Sequence, residues 1–264
     1  MKIIENEKLS HIPLISQNVD SISNCAYRVN KPLEPMNSFS YIVGSAGSGK
    51  SSLFLAMLCS HPTKKNPTQP RWFYKYFDKI WLISNSLQSL PLNKLNLNEE
   101  RIFNKYSDEI LKNIIDGEKE DEENNNCLMV IDDCIKDLKK SEYLMKAVLN
   151  RRHCLTNPDG EGNAGLSIWI LSQRYNELFL TARCNASAIY LFRTDNKKEL
   201  DCIKEELMSD LTKEQQNEVL KLAWKDKYSF LLIMNNKPTN ERYYQRFNPI
   251  IINEETDNIS VEKD

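Results

Sequence analysis

The feature that most constrains this chain is the stretch GSAGSGKS at residues 44–51. It places three of the chain's seven glycines within six positions, and it fits the pattern G-x-x-x-x-G-K-[ST] with Gly44, Gly49, Lys50 and Ser51 at the fixed positions. Ordered glycine is entropically costly, so such a cluster is expected where the backbone needs positive φ or must approach a ligand closely. The flanking runs FSYIV and SLFLAMLC predict a strand and a helix, the order that a phosphate-binding loop requires.

In that geometry the loop would bind phosphate through its backbone. Successive N–H groups form a concave nest, and the first turn of the helix adds free donors and the positive end of its dipole. We predict that Lys50 reaches the β- and γ-phosphates and that the Ser51 hydroxyl binds Mg²⁺. An ordinary glycine-rich turn is the alternative. The predicted nucleotide-contacting residues are Gly44, Ser45, Ala46, Gly47, Ser48, Gly49, Lys50, Ser51 and Ser52.

Composition excludes several classes of protein. The chain is 41% hydrophobic and 27% charged, as globular proteins are, and no apolar run approaches the roughly 20 residues that span a bilayer. Seven cysteines without a C-x-x-C pair favour a reducing compartment, and the three histidines lack the spacing of a zinc site. We expect a protein without a signal peptide, a membrane span or a structural metal. Its net charge of −2 argues against simple coating of DNA.

Short apolar runs alternate with helical patterns along most of the chain, which indicates buried parallel strands separated by helices. We predict one α/β domain at residues 33–252 with a mainly parallel central sheet covered by helices on both faces, an N-terminal extension at 1–32 and a polar tail at 253–264. The predicted strands lie at 39–43, 79–84, 127–132, 166–171, 187–192 and 229–234. The predicted helices lie at 51–59, 99–115, 141–152, 197–208 and 212–225.

Polar residues follow two of the predicted strands. A nucleoside triphosphatase needs a carboxylate for the Mg²⁺ shell and a group that positions the attacking water. The run CLMVIDD ends in Asp132 and Asp133, and adjacent carboxylates after a buried strand are costly unless they are solvated or face a cation. We predict Asp132 as the Mg²⁺ partner and Asp133 as the general base or water-orienting group; capping of the next helix is the alternative. Gln173, after LSIWILS, is a candidate sensor of the γ-phosphate.

The ordered set GSAGSGKS, LMVIDD, RRH and SIWILSQR resembles the FtsK/HerA-type genome-packaging ATPases of large DNA viruses, including the poxvirus branch, and of virophages. The resemblance covers about residues 36–195. It implies a P-loop NTPase (RecA/FtsK-like) fold, ATP and Mg²⁺ as cofactors, double-stranded DNA and capsid or portal-vertex proteins as partners, and a homo-oligomeric ring, hexamer or pentamer, that packages DNA in the host cytoplasm or viral factory. Carried over by position, the matching residues are Lys50, Ser51, Asp132, Asp133 and Gln173.

Relatives usually have Gly-Arg-His after the second motif, whereas this chain has Arg151, Arg152 and His153. A right-handed crossover takes the helix after the Asp132 strand back toward the opposite edge of the sheet. Arg152 could then act only on a neighbouring subunit's nucleotide, as an arginine finger does. Arg174 and Arg183 compete for this role. A basic helix C-terminus stabilised by the helix dipole is the non-catalytic alternative.

Three other classes of protein are alternatives to a packaging motor. A small-molecule kinase shares the phosphate loop but normally lacks two carboxylates after a buried strand. A GTPase is disfavoured because DNKKE at 195–199 misses the N-K-x-D pattern at Glu199, and because DDCI lacks the glycine of D-x-x-G. A nucleotide-gated assembly protein without turnover is disfavoured by Asp133.

Three further polar or glycine-rich segments each allow a prediction. Residues 117–126 are predicted to form a solvated acidic loop. Residues 157–165 are glycine-rich and predict either a long turn or a mobile loop facing a partner. The four lysines of 135–146 are a candidate DNA contact, with a solvated helix face as the alternative.

Overall fold

The computed structural model describes residues 2–3, 31–33, 37–90, 92, 95, 97–121, 126–155 and 165–252. Most of the predicted N-terminal extension, the whole C-terminal tail and residues 157–164 of the glycine-rich segment lie outside these residues, so those expectations stay predictions. Within the described residues the strands are β1 (Lys2–Ile3), β2 (Phe39–Val43), β3 (Lys79–Ser84), β4 (Ile102–Phe103), β5 (Asn126–Asp132), β6 (Gly165–Ser172), β7 (Ala188–Phe192), β8 (Phe230–Met234), β9 (Tyr243–Gln245) and β10 (Asn248–Ile251). The α-helices in the same residues are α1 (Lys50–Cys59), α2 (Asp108–Glu120), α3 (Ile135–Leu138), α4 (Glu142–Asn150), α5 (Leu180–Asn185), α6 (Lys197–Leu207) and α7 (Lys213–Ala223).

All of these strands join one sheet in the order β1-β10-β9-β8-β7-β2-β6-β5-β3-β4. The strands from β7 to β4 in this order are parallel to one another, and β8, β9, β10 and β1 extend the sheet with antiparallel pairs. The parallel part has a carboxyl edge, where its strands end, and an amino edge, where they begin. The prediction of a mainly parallel central sheet is confirmed.

Both faces of the sheet are buried, because alternate residues of each central strand enter different hydrophobic cores. Helices α2, α4, α5, α6 and α7 contribute to the core on one face. On the other face the core contains residues of α1 and of the aromatic segment 72–77. Helices therefore cover both faces as expected, although irregular chain covers part of the second face. In the part of the chain that the structure describes, no helix is both long and apolar enough to cross a membrane.

The last predicted strand has the opposite direction to the parallel core. Phe192 at the end of β7 pairs with Phe230 at the start of β8, so these strands are antiparallel. The reason is that two helices, α6 and α7, lie between them: the first takes the chain away from the carboxyl edge and the second returns it there. A single crossover helix would have made β8 parallel. The turn before β8 consequently lies at the carboxyl edge.

The helix predicted at 99–115 was misplaced. A 3₁₀ turn and the short strand β4 occupy 99–103, and α2 begins only after Ser107, whose hydroxyl accepts the Ile110 N–H at 3.1 Å as an N-cap. The same helix continues to Glu120, which overturns the first part of the predicted acidic loop. Glu118 is buried and accepts hydrogen bonds from Lys79 Nζ (3.1 Å) and Trp81 Nε1 (2.9 Å). Residues 122–125 lie outside the described residues.

Candidate nucleotide-binding and hydrolysis site

The loop between β2 and α1 needs glycine at three positions for two different reasons. Gly47 and Gly49 have φ of 76° and 109°, which side-chain-bearing residues rarely adopt. Gly44 is needed for space, because a Cβ there would lie 2.5 Å from Ser48 Oγ and 2.7 Å from Phe192 Cβ. Gly49 is also the N-cap of α1, which begins at the next residue. The loop therefore has the strand, loop and helix geometry of a phosphate cradle.

Lys50 curls back over this loop. Its Nζ donates hydrogen bonds to the carbonyl oxygens of Gly44 (2.5 Å) and Ser45 (3.1 Å). Ser51 and Ser52 follow in the first turn of α1 and line the adjacent cavity. The ammonium group thus lies beside free helix N-terminal donors, where it can exchange carbonyl partners for phosphate oxygens.

Asp132, the last residue of β5, is 4% exposed. Its Oδ2 accepts hydrogen bonds from Ser84 Oγ (3.2 Å) and Ser86 Oγ (3.4 Å) at the end of the neighbouring strand β3. Burial raises the pKa of Asp132; the Ser84 hydrogen bond and the charge of Lys50 oppose this shift, whereas the charge of Asp133 adds to it. A buried carboxylate of this kind is stabilised by a bound cation. Ser84 and Ser86 were not singled out from the sequence, because no local pattern marks them.

Asp133 differs from its neighbour in exposure and in backbone conformation. It is exposed, with φ of 55°. Its Oδ1 accepts a hydrogen bond from Gln173 Nε2 at 3.1 Å, and its carbonyl oxygen accepts one from Asn85 Nδ2 at 3.0 Å. The predicted base and the predicted sensor are therefore in direct contact at the carboxyl edge.

A third carboxylate belongs to the same edge. Glu177 Oε2 accepts hydrogen bonds from Ser172 Oγ (3.0 Å) and from the Arg174 N–H (3.2 Å). Burial lowers the pKa of Lys50, and the charges of Asp132, Asp133 and Glu177 oppose that shift. Sequence reasoning missed Glu177, since it lies in a 3₁₀ turn beyond the strand and reaches the site only through the tertiary structure.

A cavity of about 510 Å³ opens beside the loop. Gly49, Lys50 and Ser51 line one side, and Phe192, Tyr228 and Phe230 line the other. Tyr228 is 57% exposed and has φ of 61°. Lys227 Nζ lies 4.9 Å from the centroid of its ring. An exposed aromatic side chain on a strained backbone beside a phosphate loop is suited to stacking on a nucleotide base, and sequence reasoning missed it.

The two arginines after α4 lie at the amino edge, away from this cavity. Arg151 is buried, and it donates hydrogen bonds from Nε to the carbonyl oxygen of Asn37 (2.7 Å) and from Nη2 to Ser187 Oγ (3.3 Å). Asn37 and Ser187 come just before β2 and β7. Arg152 is exposed, and within the described residues it has no hydrogen bond or ion pair. Of the two, Arg152 is the arginine available to another molecule.

The competing arginines have different environments. Arg183 is buried, with its Nε 3.1 Å from Glu206 Oε2 and its Nη2 2.7 Å from Glu206 Oε1. Its guanidinium also lies 4.8 Å from the centroid of the Tyr175 ring. This arginine stabilises the packing of α5 on α6. Arg174 is exposed beside Gln173 at the carboxyl edge.

A glycine loop between strand and helix, with carboxylate and amide groups at the ends of neighbouring parallel strands, defines the P-loop NTPase fold. No family model matches the sequence, and no curated protein matches it by sequence. Among solved structures, the chain is similar to B204, the DNA-packaging ATPase of Sulfolobus turreted icosahedral virus (17% identity, TM-score 0.55, covering 84% of this chain and 100% of that chain). It is also similar to the genome-packaging NTPase B204 of Sulfolobus turreted icosahedral virus 2 in complex with ATP-γS (18% identity, TM-score 0.52, 80% and 96%). The predicted fold class is confirmed, and the resemblance to FtsK/HerA-type packaging ATPases holds at the level of the fold.

Proposed function

We propose that this chain is an ATP-driven motor that packages double-stranded viral DNA into a preformed capsid. The observation that carries the proposal is the contact of Asp133 with Gln173 beside the Lys50 loop. A general base and a γ-phosphate sensor at one edge of the sheet form a hydrolytic site rather than a binding site alone. The structural neighbours support it, because they are described as genome-packaging NTPases and one is in complex with ATP-γS.

The proposed nucleotide has its triphosphate at the loop and its base in the cavity. The triphosphate occupies the loop, where the free N–H groups of α1 and the Lys50 ammonium neutralise its charge. The base enters the cavity and stacks on Tyr228. The residues present also fit Mg²⁺, because Asp132 is a buried carboxylate whose pKa is raised by burial and Ser51 offers a hydroxyl at the mouth of the cavity. Bound there, the ion neutralises the charge of the phosphate oxygens.

Hydrolysis then depends on groups of this chain around the γ-phosphate. Asp133 accepts the proton of the attacking water as the oxygen–phosphorus bond forms, and the bond from the γ-phosphorus to the ADP oxygen breaks. Gln173 holds the carboxylate through its amide and orients the water. Arg152 acts on the nucleotide of the next subunit in a homo-oligomeric ring, hexamer or pentamer, that encircles the DNA and docks on capsid or portal-vertex proteins.

The experiment is steady-state ATP hydrolysis by the purified protein with and without duplex DNA. DNA should stimulate hydrolysis in the wild type, and Lys50→Ala should lower the rate by at least about 10²-fold, as loss of a single group that stabilises transition-state charge does. Lys213→Ala, which removes an exposed lysine on α7, is the matched control and should hydrolyse normally. A wild-type rate of hydrolysis in Lys50→Ala would show that the hydrolytic site is not at the Lys50 loop. If duplex DNA does not change the rate of hydrolysis in the wild type, the proposal of a DNA motor is rejected.

A further inference from the structure

A strongly cationic surface lies outside the nucleotide site. None of the chain's 37 acidic residues falls between residues 35 and 77, although the net charge is −2. We call residues 61–77 the basic segment. Its cations are Lys64, Lys65, Arg71 and Lys75.

Aromatic residues fix the basic segment rigidly to the sheet. Trp72, Phe73, Tyr76 and Phe77 are at most 8% exposed, and the ring of Phe73 packs edge-on against Trp169 with centroids 5.2 Å apart. In contrast, the side chains of Lys64, Lys65 and Lys75 are exposed. The buried aromatic residues therefore hold Lys75 at the surface at little further cost in backbone entropy on binding.

Three of the four cations of the basic segment, Lys64, Lys65 and Lys75, have no ion-pair partner in the part of the chain that the structure describes. The first acidic residue after the segment, Asp78, uses its Oδ2 to accept the backbone N–H of Asn126 at 2.8 Å. The field of the basic segment therefore remains available to an anionic partner.

Two of the four cations, Arg71 and Lys75, lie beside one aromatic ring. The Arg71 guanidinium and Lys75 Nζ each lie 5.6 Å from the centroid of the Tyr74 ring, and His61 stacks on the same ring at 3.9 Å. Tyr74 and Lys75 line a cavity of about 460 Å³, and Arg101 is on its wall. Asp78 also lines this cavity, and the exposed Glu99 and Glu100 precede Arg101, so the excess of positive charge is confined to the basic segment.

We propose that the basic segment is a contact surface for the phosphate backbone of duplex DNA; this rests on the proposed function as a DNA motor. A chain with net charge −2 attracts DNA only where cations are concentrated. Lysine contacts to phosphate fix position without reading sequence, which suits a motor that moves along any sequence. The lysines of residues 135–146 fit less well, because Asp137 and Glu142 lie among them.

The test is the salt dependence of binding to a fluorescent duplex of mixed sequence. Each lysine–phosphate interaction contributes about −0.9 to the slope of log K against log salt, so Lys64→Ala/Lys65→Ala/Lys75→Ala should reduce the magnitude of this negative slope by up to about 2.7. The matched control, Lys139→Ala/Lys140→Ala/Lys146→Ala, removes equal charge from exposed positions on 135–146 and should keep the wild-type slope. ATP hydrolysis without DNA should be unchanged in both variants.

A basic-segment variant with the wild-type slope overturns the inference and leaves the proposed function standing. A reduced slope in the control variant instead moves the DNA surface to residues 135–146. If the wild type binds no duplex at all, the proposed function fails and the inference fails with it. If the triple variant does not fold, Lys75→Ala alone should reduce the magnitude of the slope by about 0.9. An unchanged slope in that variant overturns the inference.

Discussion

At the scale of single residues, Asp133, the proposed general base, has a strained backbone conformation. A left-handed backbone at φ of 55° disfavours a residue with a side chain by about 1–2 kcal/mol. Gln173 and Asn85 hold it in place through hydrogen bonds to its carboxylate and its carbonyl oxygen. Strain of this kind persists where the surrounding structure enforces it, and it concentrates at active sites.

We predict that Asp133→Asn binds ATP but hydrolyses it about 10²–10⁴-fold more slowly, since an amide preserves shape and cannot accept the proton. Nucleotide binding and phosphate release measured on the same protein check this. Asp133→Gly is the companion variant: it should also be inactive, yet it should unfold at a higher temperature because glycine tolerates the positive φ. Normal hydrolysis by both Asp133→Asn and Asp132→Asn would mean that this strand is not catalytic.

Asp132 carries a prediction about stability and pH. Burial raises the pKa of Asp132, so its carboxyl group makes its full contribution to the stability of the folded protein when it is protonated. This contribution is lost as the pH rises from the ordinary pKa of 3.8 through the raised pKa of the folded protein. Asp132→Asn should therefore raise the unfolding temperature of the nucleotide-free protein at neutral pH and remove this part of its pH dependence, while hydrolysis is lost. Asp201→Asn, at an exposed position on α6, is the control. A lower unfolding temperature for Asp132→Asn would contradict the inference that the buried charge of Asp132 destabilises the nucleotide-free protein.

At the scale of elements, the direction of β8 decides what the nucleotide site contains. Because β8 begins opposite the end of β7, the turn that carries Tyr228 lies beside the phosphate loop. A parallel β8 would have placed the same turn at the amino edge. The pair of helices α6 and α7 therefore determines whether the cavity has an aromatic wall.

We predict that Tyr228→Ala weakens ATP binding by about 1–3 kcal/mol, or roughly 5- to 150-fold, the range for loss of one stacked base. Tyr228→Phe should bind normally because it keeps the ring. Titration with inorganic triphosphate distinguishes stacking from loop damage: it lacks a base, so its affinity should be the same for wild type and Tyr228→Ala. Equal weakening for both ligands would indicate that Tyr228 only supports the loop.

At the scale of the whole molecule, the groups that we propose as catalytic lie on opposite edges of the sheet. Lys50, Asp133 and Gln173 are at the carboxyl edge, whereas Arg152 follows Arg151 at the amino edge. Arg152 is exposed, and the crossover from β5 through α4 points it away from the chain's own cavity. The proposed role of Arg152 at a nucleotide therefore requires a second subunit.

We predict that mixing Arg152→Ala subunits with Lys50→Ala subunits restores part of the hydrolysis that each lacks alone. In mixed rings some interfaces pair an intact phosphate loop with an intact finger, and such fingers contribute on the order of 10³ to 10⁵ in rate. Hydrolysis measured across mixing ratios checks this, with each pure variant as its control. Wild-type activity in Arg152→Ala would move the role to Arg174, since Arg183 is engaged by Glu206. Verified mixed rings that stay inactive would argue that Arg152 serves folding or acts within its own subunit.

The sequence by itself determined the features that are local. The loop glycines, the apolar runs and the strand-end residues Asp132, Asp133 and Gln173 follow from backbone conformation and from burial of nearby chain. Parallel strands end at one edge, so the meeting of Asp133 with Gln173 could be expected as well. The extent of α2 could not be expected from the sequence. The cap at Ser107 and the burial of Glu118 against Lys79 and Trp81 outweigh the local pattern.

The tertiary structure alone decided the partners that are distant in sequence. Ser84 and Glu177 reach the site from separate strand ends, and the antiparallel β8 brings Tyr228 to the same edge. Arg183 is engaged by an ion pair with Glu206 on another helix. In each case the determining contact joins segments far apart in the chain, and its free energy depends on packing and strand direction, which no local pattern encodes.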